Sequence, residues 1–248
     1  MYKALLLDLD GTTIDEKESI SPSVERSIRK ISKLLTVSFA SSRDYIMVDK
    51  FANEVGLVSL QISEGGARIF HSLNKEVVWF KALKFQDMKN IVETLTTLNI
   101  DFMAVDGSKC INKIEEITEW NITRITAYNM SIAQENWLAE RFSNGHDINV
   151  EKIIRTDNGS TMLDFTHSTV NKGNGAIEYA RLMGLDLKDI IAVGDSYNDI
   201  SLLKVCGLKI AMENGVTELK HIADHIAPPA RENGLATVIN TVIYPMVS

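Results

Sequence analysis

Ala4-Leu5-Leu6-Leu7-Asp8-Leu9-Asp10-Gly11-Thr12 stands at the start of the chain. The apolar run is too short for a membrane span and is closed by a glycine turn, so it predicts a buried strand. Two carboxylates one residue apart, Asp8 and Asp10, follow where that strand ends. In an open α/β sheet, ligands bind beyond the carboxyl ends of the strands. Two like charges placed together repel unless a cation lies between them or one stays protonated. The pattern points to a divalent metal site with one carboxylate left for chemistry. Read alone, the same residues also make an ordinary turn, because Asp bonds its own backbone and glycine accepts a positive φ.

A second acidic cluster decides between these readings. Ile190-Ile191-Ala192-Val193 runs into Gly194-Asp195-Ser196-Tyr197-Asn198-Asp199, and helical spacing follows at Ile200, Leu202 and Leu203. Parallel strands from distant segments bring two such clusters to one sheet edge, and hard oxygen ligands suit Mg²⁺. Between the clusters, Ser41-Ser42-Arg43 follows the apolar stretch Val37 to Ala40, and Lys172-Gly173 opens a helical segment. A hydroxyl at a strand end, a lysine and helix N-terminal amides are what a bound phosphate requires.

In this order, Asp-x-Asp-Gly-Thr, Ser, Lys and Gly-Asp-x-x-Asn-Asp resemble the motifs of the haloacid dehalogenase superfamily of phosphohydrolases. The resemblance spans nearly the whole chain and is to the Cof-like branch, subfamily IIB. It implies an α/β fold, a Rossmann-like parallel-sheet core with an inserted α+β cap. It also implies a small phosphorylated metabolite, a sugar phosphate, as substrate. Asp8 is then the nucleophile and Asp10 the general acid and base; the residues by themselves do not tell which Asp attacks. Mg²⁺ is expected on the Asp8 carboxylate, the Asp10 backbone carbonyl and Asp195, with Asp199 a further contact. Ser41 and Lys172 are expected to hold the phosphoryl oxygens, with Ser42 and Arg43 beside them. Asn198 is expected to orient ligands from behind. Arg43 reads equally as a substrate contact or a salt-bridge partner. Alternatives of related chemistry are a phosphoglycolate- or sucrose-phosphate-type phosphatase and a phosphosugar mutase; a non-catalytic sensor of phosphorylated metabolites is the alternative of another class. The chain departs from the family pattern at Ser42, Gly65 and Gly215, where relatives carry Gly, Asn and Ala.

With 24% charged and 45% apolar residues, the composition is that of an ordinary globular protein. A net charge of -7 argues against general binding to nucleic acid or anionic membranes. No apolar run is long enough to span a bilayer, and the N-terminus enters a strand without a basic-apolar leader. Cys110 and Cys206 lack metal-ligand spacing and read as reduced, partly buried thiols of a cytoplasmic protein. Oligomeric state is left open.

Strand and helix alternate in the first part. Ser21-Pro22 predicts a capped helix, with Val24, Ile28, Ile31 and Leu35 on one face. A strand at 36–40, a helix at 44–54 closed by Gly56, a strand at 59–63 and a hairpin of Arg68–Phe70 with Val77–Trp79 follow. The segment 83–165 differs. Helices carrying Met88, Ile91, Val92, Leu95 and Leu98 and covering 133–142 mix with strands at 101–105, 110–113, 122–128, 152–156 and 161–165. Turns are expected at Asp106-Gly107 and Asp157-Asn158-Gly159. This predicts a self-contained unit on an antiparallel sheet, inserted into a core of 1–82 and 166–248. Several other features read as structural. His221 and His225 at helical spacing lack a third ligand. Trp79, Phe80 and Phe85 are expected to pack where the two domains join. Trp120, Trp137 and Tyr128 are expected in the insert's core, and Glu115, Glu116 and Glu119 on a solvated surface.

Overall fold

The computed structural model describes residues 1–15, 18–106, 109–143, 147–154 and 161–248. The Asp157-Asn158-Gly159 turn, Gly107 of the other expected turn and the end of the strand expected to reach Thr156 lie outside these residues. The chain divides into two compact units, Met1–Trp79 with Asn171–Ser248, and Phe80–Val170.

The strands before the insert are β1 (Ala4–Leu7), β2 (Thr36–Phe39), β3 (Leu60–Ser63), β4 (Arg68–His71) and β5 (Val77–Phe80). The inserted unit holds β6 (Asp101–Asp106), β7 (Lys109–Ile111), β8 (Ile122–Tyr128), β9 (Ile148–Ile154) and β10 (Thr161–His167). β11 (Ile190–Gly194), β12 (Leu208–Met212) and β13 (His225–Ala227) follow. The main helices are α1 (Pro22–Ile31), α2 (Tyr45–Val55), α3 (Phe85–Thr97), α4 (Ile132–Ser143), α5 (Lys172–Met183), α6 (Asp199–Val205) and α7 (Thr217–Ile222).

In the first unit a five-stranded sheet runs in the order β13-β12-β11-β1-β2. Every pairing in it is parallel. A parallel sheet is covered on both faces, which explains why β1 and β11 are apolar at every position. Leu5 and Leu7 point into one cluster with Val37, Phe39, Ile191 and Val193, lined by Ile28 and Ile31 of α1 and Phe51 of α2. Leu6 points into the opposite cluster with Ala192, Ala176 and Tyr179 of α5, and Leu202 and Leu203 of α6. β3, β4 and β5 form a separate three-stranded sheet.

Local chemistry sets the helix ends. The Ser21 hydroxyl accepts the Val24 N–H at 3.2 Å, with Pro22 as the first helical residue. α2 stops at Gly56, whose φ of 76° favours glycine.

The inserted unit is an antiparallel sheet in the order β7-β6-β8-β10-β9. One apolar cluster joins Met88, Ile91 and Leu95 of α3 and Leu138 and Phe142 of α4 to Phe102, Ile125, Ala127 and Phe165 of the sheet.

Three aromatic and histidine expectations are corrected. His221 and His225 do not share a helix: α7 ends at Ile222, the Asp224 N–H bonds the Lys209 carbonyl at 2.8 Å, and His225 opens β13. Edge pairing with β12 therefore interrupts the helical spacing. Trp137 is 46% exposed, with the Arg141 guanidinium 5.2 Å from its ring centre, so it is a surface residue of α4. Phe80 and Phe85 are also exposed, the Phe85 ring set edge-on against Trp120 at 5.3 Å. Trp79 packs on the apolar cluster that holds Leu6, and Glu115, Glu116 and Glu119 are exposed as expected.

The two cysteines differ in surroundings. Cys110 is exposed and Cys206 buried, and neither is in a disulfide. Burial pushes the Cys206 thiol up to about 12. In native protein an aromatic disulfide reagent is expected to label Cys110 and spare Cys206, which reacts only after denaturation. Because the folded thiol ionises later than the unfolded one, Cys206 disfavours the folded state progressively as pH rises above about 9. Replacing Cys206 by Ser or Ala should remove that part of the alkaline loss in urea titrations.

Candidate active site

β1 lies between β2 and β11. The chain passes from β1 to β2 on one side and returns later to β11 on the other, so the strand order reverses at β1. Loops at such a switch point diverge and leave a crevice at the carboxyl ends of the strands. Leu7 pairs with Val193, and the Asp8 N–H donates to the Val193 carbonyl at 3.0 Å. Asp8 and Gly194-Asp195 therefore leave the sheet side by side. The Thr13 hydroxyl donates to the Asp8 carbonyl at 2.6 Å and holds the turn after β1.

Lys172 is the first residue of α5, behind the N-cap Asn171. Its Nζ lies 2.5 Å from Asp8 Oδ1 and 2.6 Å from Asp199 Oδ1. Asp8 is 3% exposed, Lys172 1% and Asp199 0%, so this is a buried ion cluster and not a surface pair. The second Asp199 oxygen accepts the backbone N–H groups of Asp195 and Ser196, each at 3.0 Å. Asp199 thus ties the lysine to the turn that carries Asp195.

Two glycines make this approach possible. Gly11 has a φ of +73°, and a β-carbon there would lie 2.2 Å from Asp195 Oδ2. A β-carbon at Gly194 would lie 2.4 Å from the Asp199 carboxyl carbon.

Carboxylate oxygens of Asp8, Asp195 and Asp199 lie within 4.8 Å of one another. Three carboxylates against one ammonium leave two negative charges uncompensated. The proton affinities record this. Burial, then Asp199, raises the Asp8 carboxyl well above its ordinary value, against the pull of Lys172. Burial, then Asp199, pushes Asp195 up to about 6. Burial opposes the Lys172 charge, but Asp199 and Asp8 outweigh it and hold its proton more tightly than usual. Asp195 Oδ1 is buried without a hydrogen-bond partner. Buried polar atoms are normally paired. An all-oxygen set with two excess negative charges and an unpaired oxygen fits a hard divalent cation.

The other sequence-predicted residues lie around this cluster in different ways. Ser41 is buried, and its hydroxyl accepts the Arg43 N–H at 3.1 Å. Asn198 donates to the Ser42 hydroxyl at 3.0 Å and accepts from Ser196 at 2.7 Å, joining the loops after β2 and β11. The Asp10 side chain is 56% exposed and is not among the clustered carboxylates; it pairs with the Arg43 guanidinium. Two neighbours were not singled out as site residues from sequence. Asn214, in the loop after β12, donates to the Gly11 carbonyl at 2.9 Å and to Asp195 Oδ2 at 3.3 Å, and accepts the Ala230 N–H. Its signal was its place beyond a third parallel strand. Thr13 was hidden by its ordinary turn chemistry.

A model of the haloacid dehalogenase-like hydrolases matches residues 5–239. The chain is 25% identical over 248 residues to 5-amino-6-(5-phospho-D-ribitylamino)uracil phosphatase YcsE of Bacillus subtilis strain 168, covering 96% of this chain and 94% of that protein. It is 25% identical over 239 residues to a phosphoglycolate phosphatase of Methanococcoides burtonii, covering 96% of each. Among solved structures, a sugar phosphatase of subclass IIB superposes with a TM-score of 0.78 at 20% identity, over 96% of this chain and 98% of that one.

Removing the ammonium leaves a buried acidic cluster with no protein counter-charge. Lys172→Met is expected to destabilise the metal-free protein by about 3–5 kcal/mol in urea unfolding with chelator present. A loss below about 1 kcal/mol would mean that the lysine does not balance the carboxylates.

Proposed function

The chain belongs to the haloacid dehalogenase-like hydrolases, and on that premise we propose that it is a Mg²⁺-dependent phosphomonoesterase. Its substrate in this reading is a small phosphorylated metabolite, a sugar phosphate, and the phosphoryl group is carried transiently on Asp8. The observation that carries the reading is the buried contact of Lys172 with Asp8 and Asp199, beside the unpartnered oxygen of Asp195.

Asp8 attacks phosphorus and the bond to the leaving oxygen breaks, which divides one difficult step into two. Asp10 gives its proton to the leaving alkoxide. It then takes a proton from the water that cleaves the aspartyl phosphate, releasing phosphate and restoring Asp8. Lys172 opposes the protonation of Asp8 that burial favours and, with Ser41, supplies positive charge and a hydrogen bond to the phosphoryl oxygens. Asn198 and Asn214 hold the loops that carry these groups. Asp8, Asp195 and the Asp10 backbone carbonyl would hold Mg²⁺, with Asp199 beside them, and the ion would neutralise charge between the nucleophile and the phosphoryl group. The Phe80–Val170 unit would act as a cap holding the part of the substrate that does not react.

The name of the Bacillus relative supports a phosphorylated sugar-alcohol substrate, and that of the Methanococcoides relative supports a phosphorylated hydroxy acid. That neither Cys110 nor Cys206 is in a disulfide is in keeping with a reducing cytoplasm.

Phosphate release across a panel of sugar phosphates, ribityl phosphates and phosphoglycolate tests the reading. Turnover is expected with Mg²⁺, to vanish with chelator and to return when the ion is restored. Transfer to water should exceed transfer to a second sugar, which separates a phosphatase from a mutase. Asp8→Asn is expected to lower kcat by about 10³-fold or more, whereas wild-type turnover in that variant would refute Asp8 as the nucleophile.

A further inference from the structure

Asp10 is the one expected catalytic group that stands in solvent, and a half-exposed carboxylate on a short side chain has no intrinsic reason to keep one orientation. Arg43 supplies one. Its Nε lies 2.9 Å from Asp10 Oδ2 and its Nη2 2.6 Å from Asp10 Oδ1, a two-point contact that sets the plane of the carboxylate. The same Nη2 lies 2.8 Å from Glu18 Oε1. The base of Arg43 is held as well: its N–H bonds the buried Ser41 hydroxyl, its carbonyl accepts the Glu64 N–H at 2.8 Å, and its guanidinium lies 5.8 Å from the Phe51 ring centre. The fork therefore projects from a fixed point.

Glu18 completes the arrangement from another loop. Its N–H bonds the Asp15 carbonyl at 3.0 Å, and its φ is 53°, a left-handed conformation that glycine or asparagine adopts more easily. The side chain at this position is thus not one that the turn itself selects. What it brings is a second carboxylate on the same Nη2 that Asp10 engages.

We propose that Glu18 and Arg43 form a positioning clamp for Asp10, with Glu18 acting only through Arg43. The inference rests on the reading of Asp10 as general acid. Arg43 fixes where the Asp10 carboxylate points when the leaving oxygen departs, and Glu18 keeps Arg43 from swinging toward solvent. Salt bridges this exposed contribute little to stability, so the clamp's effect is on orientation.

The test compares kcat/KM for two substrates. One is the best alkyl phosphate of the panel, whose alkoxide needs a proton. The other is p-nitrophenyl phosphate, whose phenolate leaves without one. For the alkyl substrate, Arg43→Lys is expected to lose about 30-fold and Glu18→Gln about 5-fold, since a displaced acid forfeits part of a 10²–10⁴-fold contribution. For the aryl substrate both losses should shrink to about twofold, because the acid is not called on. Glu18→Gly, which relieves the backbone, should lose alkyl activity like Glu18→Gln while melting within about 2 °C of wild type. Adding Glu18→Gln to Asp10→Asn should cost nothing further, as expected for residues acting as one unit. Equal losses on both substrates, full alkyl activity in Glu18→Gln, or an additive loss in the double variant would overturn the clamp. Asp10→Asn alone separates the two levels of inference. If it shows no alkyl-aryl difference, Asp10 is not the general acid and the clamp falls with that reading. If it shows the difference and Glu18→Gln does not, only the clamp fails.

Discussion

A single buried ammonium, Lys172 Nζ, holds the candidate active site together. It reaches Asp8 at the end of β1 and Asp199 at the start of α6, and through Asp199 the turn that presents Asp195. Charges buried this deeply are tolerated only when paired and hydrogen-bonded. The pairing here is deliberately incomplete, since two negative charges remain. Burial, and then repulsion from Asp199, raises the proton affinities of Asp8 and Asp195, and the excess negative charge makes the site receptive to a divalent cation. The imbalance that disfavours the buried cluster is the one a hard divalent cation would offset.

This arrangement is possible because the sheet delivers it. Apolar residues on both faces of β1 and β11 lock the two strands together at the switch point, so their ends cannot drift apart. Gly11 and Gly194 then remove the side chains that would separate the turns. α5 begins at Lys172 and packs on the same face as Leu6, which brings the lysine to the strand ends without a long flexible reach. Core packing and site geometry are in this sense one construction: the rigidity of the first sets the precision of the second.

Around the rigid cluster, the loops interlock by ordinary hydrogen bonds. Asn198 reaches Ser42, Asn214 reaches Gly11 and Asp195, and Arg43 reaches Asp10 and Glu18. Each of these joins a loop after one strand to a loop after another. Asparagine is an ordinary turn residue and Glu18 belongs to no motif, so residue type alone marks neither Asn214 nor Glu18 as a site residue. The misread surface residues have similar explanations. The spacing of His221 and His225 resembled a helix until pairing with β12 drew His225 into a strand. Trp137 read as core because tryptophan is apolar, whereas its indole is covered on the surface by Arg141.

The amino-acid order alone determined the strands up to β11 in outline, the main helix starts and the four motifs with Asp8, Ser41, Lys172 and Asp195, because apolar periodicity, capping residues and acidic turns are local properties; β12 and β13 were not read from it. It also pointed to the parallel core and the inserted unit, since both follow from the pattern of alternation along the chain. Tertiary structure decided which carboxylates share Lys172, that Asp195 keeps an unpartnered oxygen, and that Asp10 turns outward to Arg43 and Glu18. Those outcomes depend on distances between segments more than a hundred residues apart for the lysine cluster, and on loop conformation for Arg43. Distances of that kind are set by packing and electrostatics in three dimensions and leave no trace in local sequence.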